Sequence, residues 1–139
     1  MTERDDVDSD PNCIFCKIVK GEIPCYKVYE DEHNLAFLDI HPIARGHTLV
    51  IPKQHTDRLT GVRELESYAR AVGAVCVMVE RGLSSHYNIF GAQGSKAWQT
   101  VFHHHLHIIP RYGGEKVWDW PAGSLSKDEA AGLLKKLGP

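Results

Sequence analysis

The chain has 139 residues, 42% hydrophobic and 24% charged, which suffices for one compact domain with its own core and leaves little for a second. Its formal net charge is −2, with acidic and basic residues interspersed beyond the N-terminus, so the basic stripe that duplex nucleic acid demands is missing. No apolar run reaches membrane-spanning length and the opening residues are acidic rather than signal-like, so a cytoplasmic protein is expected.

Residues 1–11 lack apolar content and are expected to form a flexible arm. Cys13-Ile14-Phe15-Cys16 follows, and an intracellular C-x-x-C pair binds a metal, does thiol redox chemistry or does neither. Redox chemistry fits least, because the pair follows the arm and not a strand of a βαβ unit. A zinc site needs two further ligands, for which His33, His41, His47, His55, His86 and the histidine cluster are candidates. The four cysteines, Cys13, Cys16, Cys25 and Cys76, are too few for a disulfide scaffold and suit a reducing compartment.

Residues 26–30 and 34–38 are aromatic and β-branched runs that read as a hairpin across Asp31-Glu32-His33. Residues 41–46 carry the Pro and Gly of a loop, and residues 48–52 form a third strand ended by Pro52. Between residues 60 and 81, Val62, Leu65, Tyr68, Ala69, Val72, Val75, Cys76 and Val79 recur at helical spacing, with Gly82 as the stop. Cys76 lies on that stripe as a buried, inert thiol. Residues 86–90 read as a fourth strand, and residues 91–100 as a polar loop whose backbone N–H groups could face an anion.

Residues 102–110 hold four of the nine histidines. As a strand they place His103, His105 and His107 on one face, and Phe102, Leu106 and Ile108 on the other. A polar solvent face is the plain alternative. Leu106, Ile108 and Ile109 favour instead a strand packed on a core, with imidazoles serving as nucleophile, base or ligands. His104 falls on the apolar face and reads as a hydrogen-bonded packing histidine. Further on, Trp118 and Trp120 form an aromatic cluster for packing or a ligand pocket. Ser126-Lys127-Asp128-Glu129 is a capping box that opens a short helix to Leu137.

Residues 13–18, Phe37-Leu38-Asp39-Ile40, residues 46–55 and residues 99–107, taken in order over residues 12–111, resemble the histidine triad (HIT) superfamily. The likeness is greatest to its bacterial zinc-containing branch, related to the histidine triad nucleotide-binding proteins. It divides the chain into an arm (1–11), a HIT domain (12–111) and a C-terminal tail with a short helix (112–139). The resemblance implies an α+β fold, an antiparallel five-stranded sheet with one long helix and short flanking helices, and a homodimer whose sheets join. It also implies cleavage at the α-phosphorus of purine nucleoside phosphoramidates or adenylylated compounds through a nucleotidyl-histidine intermediate. Hydrolysis of dinucleoside polyphosphates, and nucleotide or partner binding with little turnover, are the alternatives.

By position in that pattern, His105 is the nucleophile and His107 contacts the phosphoryl oxygens, with His47 as a helper. Gln99 and Thr100 hydrogen-bond the phosphate, and Asp39 accepts from the ribose hydroxyls. Phe15, Ile18, Phe37, Ile40 and Leu49 wall the base pocket. The resemblance completes the metal site as structural zinc held by Cys13, Cys16, His55 and His103. Two positions depart from it: Ala92 stands where relatives usually have Asn, beside Gln93, and Trp98 stands where they have a small residue. Both bear on the substrate more than on the reaction.

Overall fold

The computed structural model describes residues 8–115 and 121–138, so the expectation for Trp118 and Trp120 lies outside the described residues. The elements are α1 (Ile14–Val19), β1 (Lys27–Glu30), β2 (Asn34–Leu38), β3 (Thr48–Pro52), α2 (Leu65–Gly82), β4 (Tyr87–Gly91), β5 (Leu106–Pro110) and α3 (Lys127–Leu137). The strands form one antiparallel sheet in the order β1-β2-β3-β5-β4, the expected α+β architecture. Among the described residues no helix is long and apolar enough to cross a membrane.

Strands β2 and β3 are buried nearly throughout because the sheet is covered on both faces. Alternation sends Ala36, Val50 and Ile108 toward α2, where Tyr68, Ala71, Val75, Cys76 and Val79 meet them. Leu35, Phe37, Leu49 and Ile51 point the other way, onto Phe15 of α1. The register Leu49↔His107 puts His107 on this second face. The functional side of the sheet is therefore the one opposite the long helix. Gly46, at φ +85°, carries the chain between β2 and β3, and a Cβ there would collide with Leu83.

The long helix starts at Leu65 rather than near residue 60. Ahead of it the Gln54 side chain donates to Gly61 O (2.8 Å) and accepts from Arg63 N–H (3.0 Å), satisfying backbone groups that a longer helix would have paired. Its buried stripe includes Ala71, while Leu65 and Ala69 are exposed. Cys76 is buried as expected, and desolvation raises its thiol pKa. Ser126 caps α3, accepting from Glu129 N–H at 3.2 Å.

Residues 102–105 are not part of the histidine strand, which begins only at Leu106. There the chain leaves the ladder: His104 N–H donates to Thr56 O beyond the end of β3 (2.6 Å), and His103 turns toward the cysteines. His103 and His105 therefore serve different clusters instead of lining one strand face. His104 is fully buried and packs edge-on against Tyr68 (5.4 Å), but neither ring nitrogen has a hydrogen-bond partner among the described residues, contrary to the sequence expectation. Burial, reinforced by His105, lowers its pKa to about 4, so it packs as a neutral ring. Because a buried unpaired polar group costs about 1–3 kcal/mol, His104→Leu is expected to stabilise the protein by about 1 kcal/mol in urea denaturation at pH 7. A loss of stability instead would mean that the imidazole has a partner.

Candidate active site and metal centre

Two clusters share the face of the sheet opposite α2. In the first, Cys13, at the N-cap of α1, and Cys16, within it, meet His55 and His103, with ligand atoms all within 4.8 Å of one another. Cys13 Sγ lies 3.4 Å and Cys16 Sγ 3.6 Å from His103 Nδ1, and Cys16 Sγ lies 3.3 Å from His55 Nδ1. Sulfur and nitrogen bound tetrahedrally to one zinc-sized ion sit about 3.6 Å apart, so the four donors fit a closed, metal-binding set. His103 Nε2–H donates to Pro52 O (2.7 Å), which leaves Nδ1 with the lone pair a metal requires. His55 turns its Nε2 toward Asp10 Oδ2 at 3.9 Å. Burial pushes the Cys13 thiol up to about 11, and a cation among the four groups would supply the counter-charge a thiolate needs there.

The arm is tied to this cluster from residue 8 onward. Asp8 O accepts from His55 N–H (2.6 Å), and the Asp8 carboxylate pairs with Arg63.

The second cluster contains His47, His105, His107 and Asp39. Ile43 N–H donates to His47 Nδ1 (3.0 Å), which makes the other nitrogen, Nε2, the protonated one. That N–H faces His107 Nδ1 at 2.8 Å, so His107 must accept there and carry its own proton on Nε2. The same logic argues against a metal at Asp39, His47 and His107, although their ligand atoms are close: a cation on His47 Nε2 would break the bond from Ile43.

His105 is set the opposite way. Its Nδ1–H donates to the carbonyl of His103 (2.8 Å), leaving the Nε2 lone pair for chemistry. Burial lowers its pKa, against the opposing influence of the His103 carbonyl and Asp39, so the ring is neutral near pH 7. The two imidazoles stand 4.9 Å apart, one offering a lone pair and the other an N–H.

The remaining expected site residues divide. Asp39 is half-buried, with Oδ1 accepting from His41 N–H (2.8 Å) and Oδ2 3.6 Å from His47 Nε2. Phe15, Phe37 and Leu49 are buried together and Ile18 packs against them, while Ile40 is 72% exposed and belongs to the rim. Phe15 also packs edge-on against His105 (5.2 Å) and His103 (5.8 Å), joining the two clusters. Thr100 is exposed. The Gln99 side chain is buried and already occupied: its oxygen accepts from Gly94 N–H (2.7 Å) and its nitrogen donates to Asp57 O (2.8 Å) and Val101 O (3.2 Å). Gln93 is similarly used, accepting from Leu59 N–H at 2.8 Å. Sequence reasoning missed the Ile43 N–H, the Pro52 carbonyl and Asp10.

Burial, with smaller contributions from His105 and His47, lowers the pKa of His107 to about 4. The unfolded value is about 6.5, so stability is intact above pH 6.5 and is withdrawn as the pH falls toward 4. His107→Asn is expected to lose roughly 2 kcal/mol less stability than wild type between pH 7 and 4.5, measured by chemical denaturation at both pH values. Parallel losses would show that His107 does not titrate in this window.

The HIT domain model matches residues 20–114. The chain is 49% identical over 105 residues to "Protein hit" of Bacillus subtilis, covering 73% of this chain and 72% of that protein. It is 41% identical over 128 residues to the adenosine 5′-monophosphoramidase hnt1 of Schizosaccharomyces pombe, covering 91% and 96%. The crystal structure of a HIT family member from Bacillus subtilis superposes with a TM-score of 0.81 at 42% identity, covering 91% of this chain and 94% of that one. With the histidines, the sheet and these likenesses in agreement, the chain belongs to the HIT family.

Proposed function

We propose that this protein hydrolyses purine nucleoside phosphoramidates and related adenylylated compounds at the α-phosphorus, with the nucleotide held transiently on His105. The observation that carries this reading is the opposite tautomers of the two neighbouring imidazoles, His105 with a free Nε2 and His107 with Nε2–H. The match along nearly all of an adenosine 5′-monophosphoramidase supports an amide substrate.

In the first step His105 Nε2 attacks phosphorus, the P–N bond breaks and the amine departs, taking its proton from solvent, to which the water of the second step returns one. The positive charge that develops on the ring is shared with the His103 carbonyl through Nδ1–H. His107 Nε2–H donates to a non-bridging oxygen as its charge grows, held in place by His47. In the second step water attacks phosphorus, the bond to His105 breaks and the nucleoside monophosphate leaves.

Asp39 accepts from the ribose hydroxyls. Phe15, Ile18, Phe37 and Leu49 form the apolar wall for the base, and Ile40 closes its rim. Thr100 contacts the phosphate, and Gln99 shapes the loop that presents it. The first cluster would hold zinc through Cys13, Cys16, His55 and His103, and with four protein ligands the ion would fix the chain and take no part in the chemistry. The protein acts as a cytoplasmic homodimer, for which β4, at the sheet edge with Ile89 exposed, is the joining strand.

Release of AMP from adenosine 5′-phosphoramidate, from diadenosine triphosphate and from buffer alone tests the reading. The phosphoramidate is expected to be the faster substrate. Faster cleavage of diadenosine triphosphate would move the protein to the dinucleoside polyphosphate class, and AMP binding without any turnover would make it a binding module.

A further inference from the structure

Asp10 meets three of the four residues of the metal cluster. Its carbonyl accepts from Cys13 N–H (3.1 Å), its own N–H donates to Cys16 Sγ (3.4 Å), and its Oδ2 faces His55 Nε2 at 3.9 Å. The carboxylate is held in that direction, because Oδ1 accepts from Asn12 N–H (2.8 Å). Each contact does something different. The N–H on Cys16 Sγ spreads the charge a thiolate carries, and the bond from Cys13 N–H fixes the entry to α1, where both cysteines stand. His55 turns Nδ1 toward Cys16 Sγ (3.3 Å), so as a ligand it carries its proton on Nε2, and a carboxylate on that side makes the ring a stronger donor to a cation.

The cluster is also unevenly covered. Cys16 and His103 are buried, while Cys13 and His55 are only half-buried, so the open side of the cluster is theirs. Residues 8–12 run along that side. Asp8 O accepts from His55 N–H (2.6 Å), next to the contacts that Asp10 makes with His55 and Cys13. The far end of the segment is fastened where the Asp8 carboxylate pairs with Arg63, whose own N–H is held by Gln54 Oε1 (3.0 Å) just ahead of α2.

We propose that Asp10 is a positioning residue of the metal centre, and that residues 8–12 are a strap that must open before a metal ion enters or leaves. The inference rests on the zinc reading above and extends it from which residues hold the ion to how the ion is kept. A cation leaving by the half-buried side parts first from Cys13 or His55, and the strap bonds both. Opening it breaks the Asp8–Arg63 pair and a few hydrogen bonds but leaves the sheet and α2 intact, so it is a local event, far less costly than unfolding. The chemistry of His105 plays no part in it.

The test follows zinc transfer from the loaded protein to an excess of a chromogenic chelator, beside the unfolding rate of the same loaded protein, measured in urea and extrapolated to water. Asp10→Ala is expected to speed transfer about tenfold or more, as loss of a partner behind a metal ligand does, with the unfolding rate within about twofold of wild type. Asp10→Asn, which keeps an acceptor for Asn12 N–H and loses the charge, should fall between the two. Arg63→Gln, which frees the far end of the strap, should speed transfer about two- to fivefold, the range of an exposed ion pair. Asp128→Asn, on α3, should transfer zinc at the wild-type rate.

A merely structural role would speed transfer only as far as it speeds unfolding. Transfer within about twofold of wild type in both Asp10→Ala and Arg63→Gln, or transfer that rises only in step with unfolding, would overturn the proposal while leaving the zinc reading in place. Failure of wild type to take up zinc at all would overturn the zinc reading, and the strap with it.

Discussion

Replacing His105 with alanine is expected to lower kcat for AMP release from adenosine 5′-phosphoramidate about a thousandfold or more, with AMP affinity changed only a few-fold. The size follows from the tautomers. His105 Nε2 is the imidazole nitrogen of the site with a lone pair free for phosphorus, because His107 turns Nδ1 into the bond with His47 and presents a proton on Nε2. No neighbour can take over the attack without reversing the Ile43–His47–His107 chain. Affinity should survive if, as proposed, ribose and base are held by Asp39 and by the apolar wall around Phe37 and Leu49. His47→Ala should cost less, about ten- to a hundredfold in kcat, since it frees the orientation of His107 but removes no reacting atom. Steady-state kinetics with isothermal titration of AMP checks both.

Cys16→Ser is expected to abolish stoichiometric zinc and to lower the melting temperature by more than about 10 °C, as loss of a structural metal in a domain of this size should. Wild type is expected to carry one zinc per chain by elemental analysis. The four ligands come from three separate parts of the chain: α1, the segment after β3 and the segment before β5. A single ion held by all four would therefore cross-link the N-terminal helix to the segment that carries His103 and His105. Without it, Cys16 and the fully buried His103 would keep their burial and lose their common partner. Unchanged metal content and melting temperature in Cys16→Ser would remove the cluster from the account.

Much of the sheet is legible because β2 and β3 carry unbroken apolar runs between clear turn residues. Strand β5 is only half legible. Alternation of histidines across residues 103–107 looks like a strand face, but Thr56 O, Pro52 O and the cysteines draw residues 103 and 104 out of the ladder. The start of α2 is misplaced for a similar reason, because the helical periodicity of residues 60–64 competes with the Gln54 side chain.

The site shows the same limit. C-x-x-C alone leaves metal, redox and neither open; family resemblance supplies His55 and His103, and the fold brings all four together. Family resemblance makes Gln99 a phosphate ligand, yet its side-chain hydrogen-bonding groups are used by the backbone of Gly94, Asp57 and Val101. What spacing cannot express is direction. Which nitrogen of His105 or His107 carries the proton is decided by the His103 carbonyl and the Ile43 N–H.

The central claim, a nucleotide held covalently on His105, is tested most directly by rapid acid-free quenching and intact-mass measurement of wild type and His105→Ala during turnover of adenosine 5′-phosphoramidate. Wild type is expected to gain the mass of one adenylyl group, mapped by peptide fragmentation to His105 and lost as the substrate is exhausted, with no gain in His105→Ala. Release of AMP at full rate with no adduct at any time point, or an adduct on another residue, would contradict it.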